Sequence, residues 1–248
     1  MCLNQISIMN RKTLILLAVI FVNYVVVCAQ ENSKTNFDVV VYGATPGGII
    51  SAINASRGGA SVILLEQKKH VGGLITSGLN TDEAYNMDRG SWSPMTWEYF
   101  KRLSAENPER EIKDWVAYQF ESSVAEKVFL EMLEEANIEI RYSKLIKEVS
   151  KVEGVIKSIL MEDGSSFRGK VFIDASYEGD LMAMSNVSYT YGRESRAEYG
   201  EPLAGIQFKD NPIKFSAYDD QGILPGVREY KGLKEGDGDK KVLSYCYV

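Results

Sequence analysis

The residues best placed to do chemistry lie between Gly43 and Glu66. The turn Gly43-Ala44-Thr45-Pro46-Gly47-Gly48 follows the apolar run Val39-Val40-Val41-Tyr42, and Glu66 stands eighteen residues after Gly48, at the end of Val62-Ile63-Leu64-Leu65. This spacing suits a dinucleotide pyrophosphate held on a strand–turn–helix–strand unit. Gly43 permits the tight turn, and Gly48 permits close packing of helix on sheet. The helix start offers free N–H groups and a partial positive charge to a phosphate. Glu66 can accept hydrogen bonds from both ribose hydroxyls, and it repels a 2′-phosphate. Thr45 stands where the glycine pattern has its middle glycine. Its hydroxyl either caps the helix, with Pro46 at the first helical position, or bonds a phosphate oxygen. A glycine-rich structural turn in another α/β protein would share the glycines but not the timed acid.

Local patterns supply the elements that position these residues. Val39–Val41 has the continuous apolar character of a parallel strand buried on both faces. Ile49, Ile50, Ala52, Ile53 and Ala55 form the apolar side of a helix that stops at Gly58-Gly59. A second glycine pair follows the acid, in His70-Val71-Gly72-Gly73-Leu74, and leads into an irregular, aromatic stretch ending at Phe120. Ser123-Val124-Ala125-Glu126 reads as a capping box opening a helix with Val124, Val128, Phe129, Met132, Leu133 and Ala136 on its apolar face. A strand at Ile138–Tyr142 is predicted next. Hairpin strands follow at Leu145–Val149, Val155–Met161 and Ser166–Phe167, turning at Glu153-Gly154 and Asp163-Gly164. Lys170–Asp174 reads as another buried parallel strand, followed by Ala175–Asp180 and a short helix, Leu181–Ser185. After Asn186 the pattern is β-like and glycine-rich.

Composition narrows the function class. The chain has 248 residues and a net charge of −6, which leaves no basic surface for nucleic acid. Arg11 and Lys12 precede the mostly apolar run Leu14–Val27, which breaks at Ala29-Gln30. This is the layout of a cleavable export leader at residues 1–29, and it implies a periplasmic or extracellular protein with no stable membrane span in the mature chain. Cys28 allows a lipoprotein reading, but Val27 stands where a small residue is expected; a retained anchor fits a run this short and broken by Asn23 less well. Met9 is an alternative start. Cys2 and Cys28 fall in the leader, so the mature chain keeps only Cys246, too few for a disulfide or a cysteine-bound metal or iron–sulfur site.

The motifs in combination resemble the FAD-dependent oxidoreductases of the glutathione-reductase type, in their secreted branch. The resemblance is carried by Asp38–Gly48, His70-Val71-Gly72-Gly73, Phe172–Leu181, and Gly192-Arg193-Glu194-Ser195 with Tyr199–Gly205, and it covers residues 37–248. It implies an α/β fold: a Rossmann-like FAD/NAD(P)-binding domain over 30–186, a parallel sheet with a β-meander crossover, then the start of a β-rich substrate domain over 187–248. It implies FAD as cofactor and a small-molecule substrate. Gly43, Thr45, Pro46, Gly47 and Gly48 would hold the pyrophosphate and Glu66 the ribose. Gly72 and Gly73 would pass beside the phosphates and ribityl chain. Backbone at Leu145 or Ile146 would bracket the adenine, and Asp174, Ala175 and Asp180 would close the adenosine side. The family tolerates threonine at the Thr45 position. Its members are longer, and their distal half returns to the FAD domain, so the resemblance implies that this chain is the N-terminal half of such an enzyme or a non-catalytic remnant of one. An NAD-dependent dehydrogenase is the rival reading, and export disfavours it.

Other residues have plainer readings beside sharper ones. His70 either contacts a flavin or orders the glycine turn, and the second fits a lone neutral histidine better. Lys68 and Lys69 either steer an anionic cofactor or are solvated. Arg193 and Glu194 either face the site or pair with each other. The aromatics Tyr85, Trp92, Trp97, Tyr99, Phe100, Trp115, Tyr118 and Phe120 read as a satellite hydrophobic cluster rather than a stacking platform. Glu235-Gly236-Asp237-Gly238-Asp239 has acid spacing like a calcium loop but lacks the closing glutamate.

Overall fold

The computed structural model describes residues 35–79, 88–106, 120–208, 216–225, 227 and 232–242. The expected leader at 1–29, Tyr85, Trp115, Tyr118 and Cys246 lie outside the described residues. The chain forms two compact units, residues 1–186 and 187–248.

In the first unit, β1 (Asn36–Tyr42), β2 (Val62–Leu65), β3 (Glu139–Arg141), β4 (Ile146–Val152), β5 (Val155–Met161) and β6 (Ser166–Asp174) form one sheet in the order β3-β2-β1-β6-β5-β4. The β1–β2, β1–β6 and β2–β3 pairs are parallel, and β4–β5–β6 is an antiparallel meander. This is the Rossmann-like α/β architecture of an FAD/NAD(P)-binding domain. Boundaries differ from the sequence pattern: β4 runs on to Val152 rather than stopping at Val149, β3 is Glu139–Arg141 rather than Ile138–Tyr142, and two predicted strands are joined. Ser166–Phe167 and Lys170–Asp174 are a single strand, and Arg168 pairs with Ser158 on one side and Asn36 on the other. Gly169 is the reason the join is possible. A Cβ there would lie 2.8 Å from Val40 Cγ2, so the backbone approaches β1 where any side chain would push it off.

From Val39 onward the strand period of two divides the core. Val39, Val41, Val62 and Leu64 face the helices, while Val40, Tyr42, Ile63 and Leu65 face Ile146, Ile159, Met161, Phe167 and Leu181 of the meander and the short helix after β6. The helical layer is α1 (Pro46–Arg57), α2 (Pro94–Ala105) and α3 (Ser122–Glu135). Trp92, Trp97, Tyr99 and Phe100 pack here; Tyr99 stacks on Phe129 at 4.1 Å between ring centroids. Arg57 and Arg102 both pair with Glu98, and Arg102 also with Glu135, tying the three helices at their surface.

The capping box is a correction. The N-cap of helix α3 lies two residues earlier, at Glu121 rather than Ser123, and makes no side-chain cap bond. Glu126 is instead drawn to the second glycine turn, where its Oε1 accepts from Val71 N–H at 3.1 Å.

In the second unit, α5 (Arg196–Tyr199) follows the short helix α4 (Asp180–Met184) of the first, and β7 (Tyr218–Asp219) pairs antiparallel with β8 (Gly222–Ile223). Arg193 bridges Asp239 by backbone and by a two-pronged ion pair. Glu235 pairs with Arg196. Glu235 and Asp239 of the calcium-like segment are therefore held by arginines. Among the described residues no group of three or more His, Cys, Asp or Glu could hold a metal, and no helix is long and apolar enough to cross a membrane.

Candidate functional site

The glycine turn sits at the carboxyl end of β1, where the sheet, α1 and the loop after β6 converge. Gly43 has φ +100°, and a Cβ on it would lie 2.6 Å from Ala175 O. A Cβ on Gly48 would lie 2.0 Å from Gly43 O and 2.9 Å from Ala175 Cβ. Both positions admit only glycine because backbone occupies the space. Thr45 is the N-cap of α1 and Pro46 its first residue. The Thr45 hydroxyl donates to Ala175 O at 2.9 Å and accepts from Gly48 N–H at 3.3 Å. Its single proton is committed within the chain, so of the two roles open to Thr45 the geometry shows the capping one.

Helix geometry then decides which donors remain. Ile49 N–H bonds Thr45 O, Gly48 N–H bonds the Thr45 hydroxyl, and Pro46 has no N–H. Among the described residues, the N–H groups of Thr45 and Gly47 have no acceptor. The space a Gly47 side chain would take is also open, its nearest neighbour being Thr45 Oγ1 at 3.9 Å. Two unpaired donors and open room at a helix start form a cradle for a phosphate.

Glu66 is buried, with 8% of its surface exposed. Its Oε2 accepts from Ala44 N–H at 2.6 Å and its Oε1 from Lys68 N–H at 2.8 Å. A carboxylate has about four acceptor positions, so both oxygens can still receive ribose hydroxyls. Segment 143–146 is clipped beside it: Lys144 N–H donates to Glu66 O and Ser143 N–H to Lys68 O. Ile146 is buried, and its N–H reaches the Tyr42 hydroxyl at 3.4 Å.

The second glycine pair packs against the first. Gly72 N–H donates to Ala44 O at 2.7 Å. Gly72 and Gly73 both have positive φ, and a Cβ on Gly73 would lie 2.3 Å from the Tyr177 hydroxyl, which accepts from Leu74 N–H. His70 Nε2 lies 3.0 Å from Ser77 Oγ, which gives its own proton to Gly73 O at 2.7 Å. Nε2 is therefore the donor, and His70 braces this turn.

Behind the turn, the Asp174 carboxylate accepts from Ser176 N–H, the Ser176 hydroxyl and Met182 N–H, which caps the loop and the start of α4. Ala175 N–H donates to Tyr42 O. Asp180 Oδ2 accepts from Gln67 Nε2 at 2.6 Å, and the same nitrogen donates to the Tyr42 hydroxyl at 2.8 Å. Burial pushes the Tyr42 phenol above its usual range, so it stays protonated at neutral pH.

These segments line one cleft, formed by Gly43, Thr45, Glu66, Gln67, Lys68, His70, Gly73, Ser176, Tyr177 and Glu178. Of the residues expected at a cofactor, Gly43, Thr45, Glu66 and Gly73 line it, with Pro46 and Gly47 at the adjoining helix start. Gly48, Gly72, Ile146, Asp174, Ala175 and Asp180 stand behind it and set its shape. Sequence reasoning passed over Gln67 and Tyr42 as site residues and held Ser176 and Tyr177 only within the stretch Asp174–Asp180. Tyr42 carried a signal, a lone hydroxyl ending an aliphatic strand. Nothing local marked Gln67.

Residues 38–247 match the family described as FAD dependent oxidoreductase. The fold is also similar to L-proline dehydrogenase from P. horikoshii, at 13% identity and TM-score 0.47, over 65% of this chain and 59% of that one. L-amino acid deaminase from Proteus vulgaris gives 17% identity and TM-score 0.48, over 65% of this chain and 52% of that one. A Methanosarcina barkeri protein described as an uncharacterized protein in the nifH2 5′ region is 45% identical over 42 residues, 17% of this chain and 23% of that protein. The chain thus spans about half the length of the solved relatives and less of the curated one.

Proposed function

This chain belongs to the FAD-dependent oxidoreductase family, and we propose that its cleft binds the adenosine diphosphate half of FAD in an exported enzyme acting on a small-molecule substrate. One observation carries the reading: the unpaired N–H groups of Thr45 and Gly47 open beside the buried carboxylate of Glu66. The two N–H groups suit a pyrophosphate and the carboxylate a ribose, and the bond from Ala44 N–H to Glu66 ties the acid to the turn.

The roles divide along the cleft. Thr45 and Gly47 present donors to phosphate oxygens, strengthened by the α1 dipole. Glu66 receives ribose hydroxyls and excludes a 2′-phosphate by charge. Gly73 and Tyr177 wall the side beyond the phosphates, where the missing Gly73 side chain admits the Tyr177 hydroxyl. Bound FAD supplies the hydride and electron transfer, while the protein's part is to bind and orient it.

Titration calorimetry of the full chain with ADP and FAD tests this. Saturable binding of both, with flavin absorbance co-eluting on gel filtration after FAD is added, supports it; no binding of either overturns it. Export is supported by the leader pattern at residues 1–29. N-terminal sequencing of exported protein should begin at Gln30, and a lipid-modified start at Cys28 would replace that reading.

A further inference from the structure

We propose that Gln67 is a specificity-determining residue of this cleft, presenting one fixed hydrogen-bond acceptor to a donor group of the bound adenosine. The inference rests on the adenosine diphosphate reading above and adds to it the residue that sits next to Glu66.

The orientation of an amide is set by its partners, since its oxygen and nitrogen are alike in shape. Here the partners decide. Asp180 Oδ2 lies 2.6 Å from the amide end of Gln67, and a carboxylate accepts but cannot donate, so the group facing it is the NH2. The second N–H of that group goes to the Tyr42 hydroxyl at 2.8 Å. Both donors are thus consumed on the protein side, by Tyr42 at the end of β1 and Asp180 at the start of α4. What remains is Oε1. No hydrogen bond from the described residues reaches it, and it is not among the buried polar atoms left without a partner. It is therefore accessible, on a residue that lines the cleft between Glu66 and Lys68.

A half-buried amide pinned at its nitrogen offers its acceptor with little rotational freedom to lose, which is the condition for discrimination rather than mere contact. Adenosine has two donors that such an acceptor can read, the 6-amino group of the base and the 2′-hydroxyl of the ribose. Tyr42 also accepts from Ile146 N–H, so Gln67 is linked to the segment beside Glu66 and not to the phosphate cradle. A ligand lacking the matching donor leaves the acceptor facing nothing.

The experiment is calorimetry of the full-length protein and its Gln67→Met variant with three probes: ADP, IDP, which lacks the 6-amino donor, and 2′-deoxy-ADP, which lacks one ribose donor. Loss of one neutral hydrogen bond should weaken ADP binding about 3–10-fold in the variant. For the probe that lacks the donor read by Gln67, wild type and variant should bind alike, and this identifies base or sugar as the source. Equal weakening of all three probes makes Gln67 a structural brace only and overturns the proposal, as does unchanged binding of all three. A second variant, Asp180→Asn, keeps Gln67 but supplies a partner able to donate to Oε1, so the amide can turn over; discrimination between ADP and the identified probe should fall. Discrimination kept in Asp180→Asn would overturn the orientation argument. If ADP does not bind the wild-type protein, the adenosine reading itself falls; if ADP binds and Gln67→Met changes nothing, only the Gln67 inference falls.

Discussion

Ala44 N–H and Glu66 Oε2 stand 2.6 Å apart, so the acid that ends the second strand also fastens the turn that leaves the first. Glu66 therefore does two jobs. It accepts from Ala44 and Lys68 whether or not a ribose is present, and its remaining acceptor positions face the cleft. If Glu66 receives the ribose as proposed, ligand affinity and turn order are coupled through one carboxylate.

That coupling predicts the behaviour of the conservative substitution. In Glu66→Gln, one end of the side chain becomes a donor facing a backbone N–H, either that of Ala44 or that of Lys68. The amide should then fail nearly as badly as Glu66→Ala. Both should weaken ADP binding by about 1–3 kcal/mol and speed exchange of the Ala44 amide. Calorimetry and hydrogen exchange check this. Near-wild-type affinity in Glu66→Gln would mean that the two backbone bonds contribute little.

The two neighbouring glycines should respond oppositely to alanine. Gly48→Ala places a methyl 2.0 Å from Gly43 O, and backbone there cannot yield without lifting α1 off the sheet. A loss above about 3 kcal/mol or failure to fold is expected. Gly47→Ala meets open space and helical backbone, so stability should hold or rise by up to about 1 kcal/mol. Denaturant unfolding of both variants measures the contrast.

Thr45 should be needed for its hydroxyl. Thr45→Val loses the cap on Gly48 N–H and the bond to Ala175 O, at about 1–2 kcal/mol. Thr45→Ser keeps both bonds and should stay within about 0.5 kcal/mol of wild type. Equal losses in the two variants would point to the methyl rather than the hydroxyl.

The second unit should loosen in acid. Arg193 beside Asp239 holds its carboxyl down at about 2, below the ordinary value of 3.8. A carboxylate lowered by folding stabilises the fold above its unfolded value and loses that contribution as pH falls through its folded one. The Arg193–Asp239 bridge should therefore weaken between about pH 4 and pH 2. The carboxyl chemical shift of Asp239 and the exchange rate of the Arg193 amide should track together over that range. Asp239→Asn should abolish the dependence of the amide.

What the sequence determined by itself was the part of the fold that rests on local rules. Apolar runs marked β1 and β2, Thr45-Pro46 marked the start of α1, and the interval to Glu66 marked one strand–turn–helix–strand unit, because strand length, helix length and turn chemistry are set within a few residues. Tertiary structure decided what depends on neighbours distant in the chain. Gly169 let two predicted strands fuse, since only the approach of Val40 reveals why a side chain is excluded there. Glu126 left its expected capping box for Val71 N–H across 55 positions of sequence, a bond that exists only once α3 lies against the second glycine turn. Gln67 gained its fixed orientation from Tyr42 and Asp180, 25 and 113 positions away. Local propensity chooses the elements. The direction in which a polar side chain spends its few hydrogen bonds is chosen by whatever unpaired donors and acceptors the packing brings within reach.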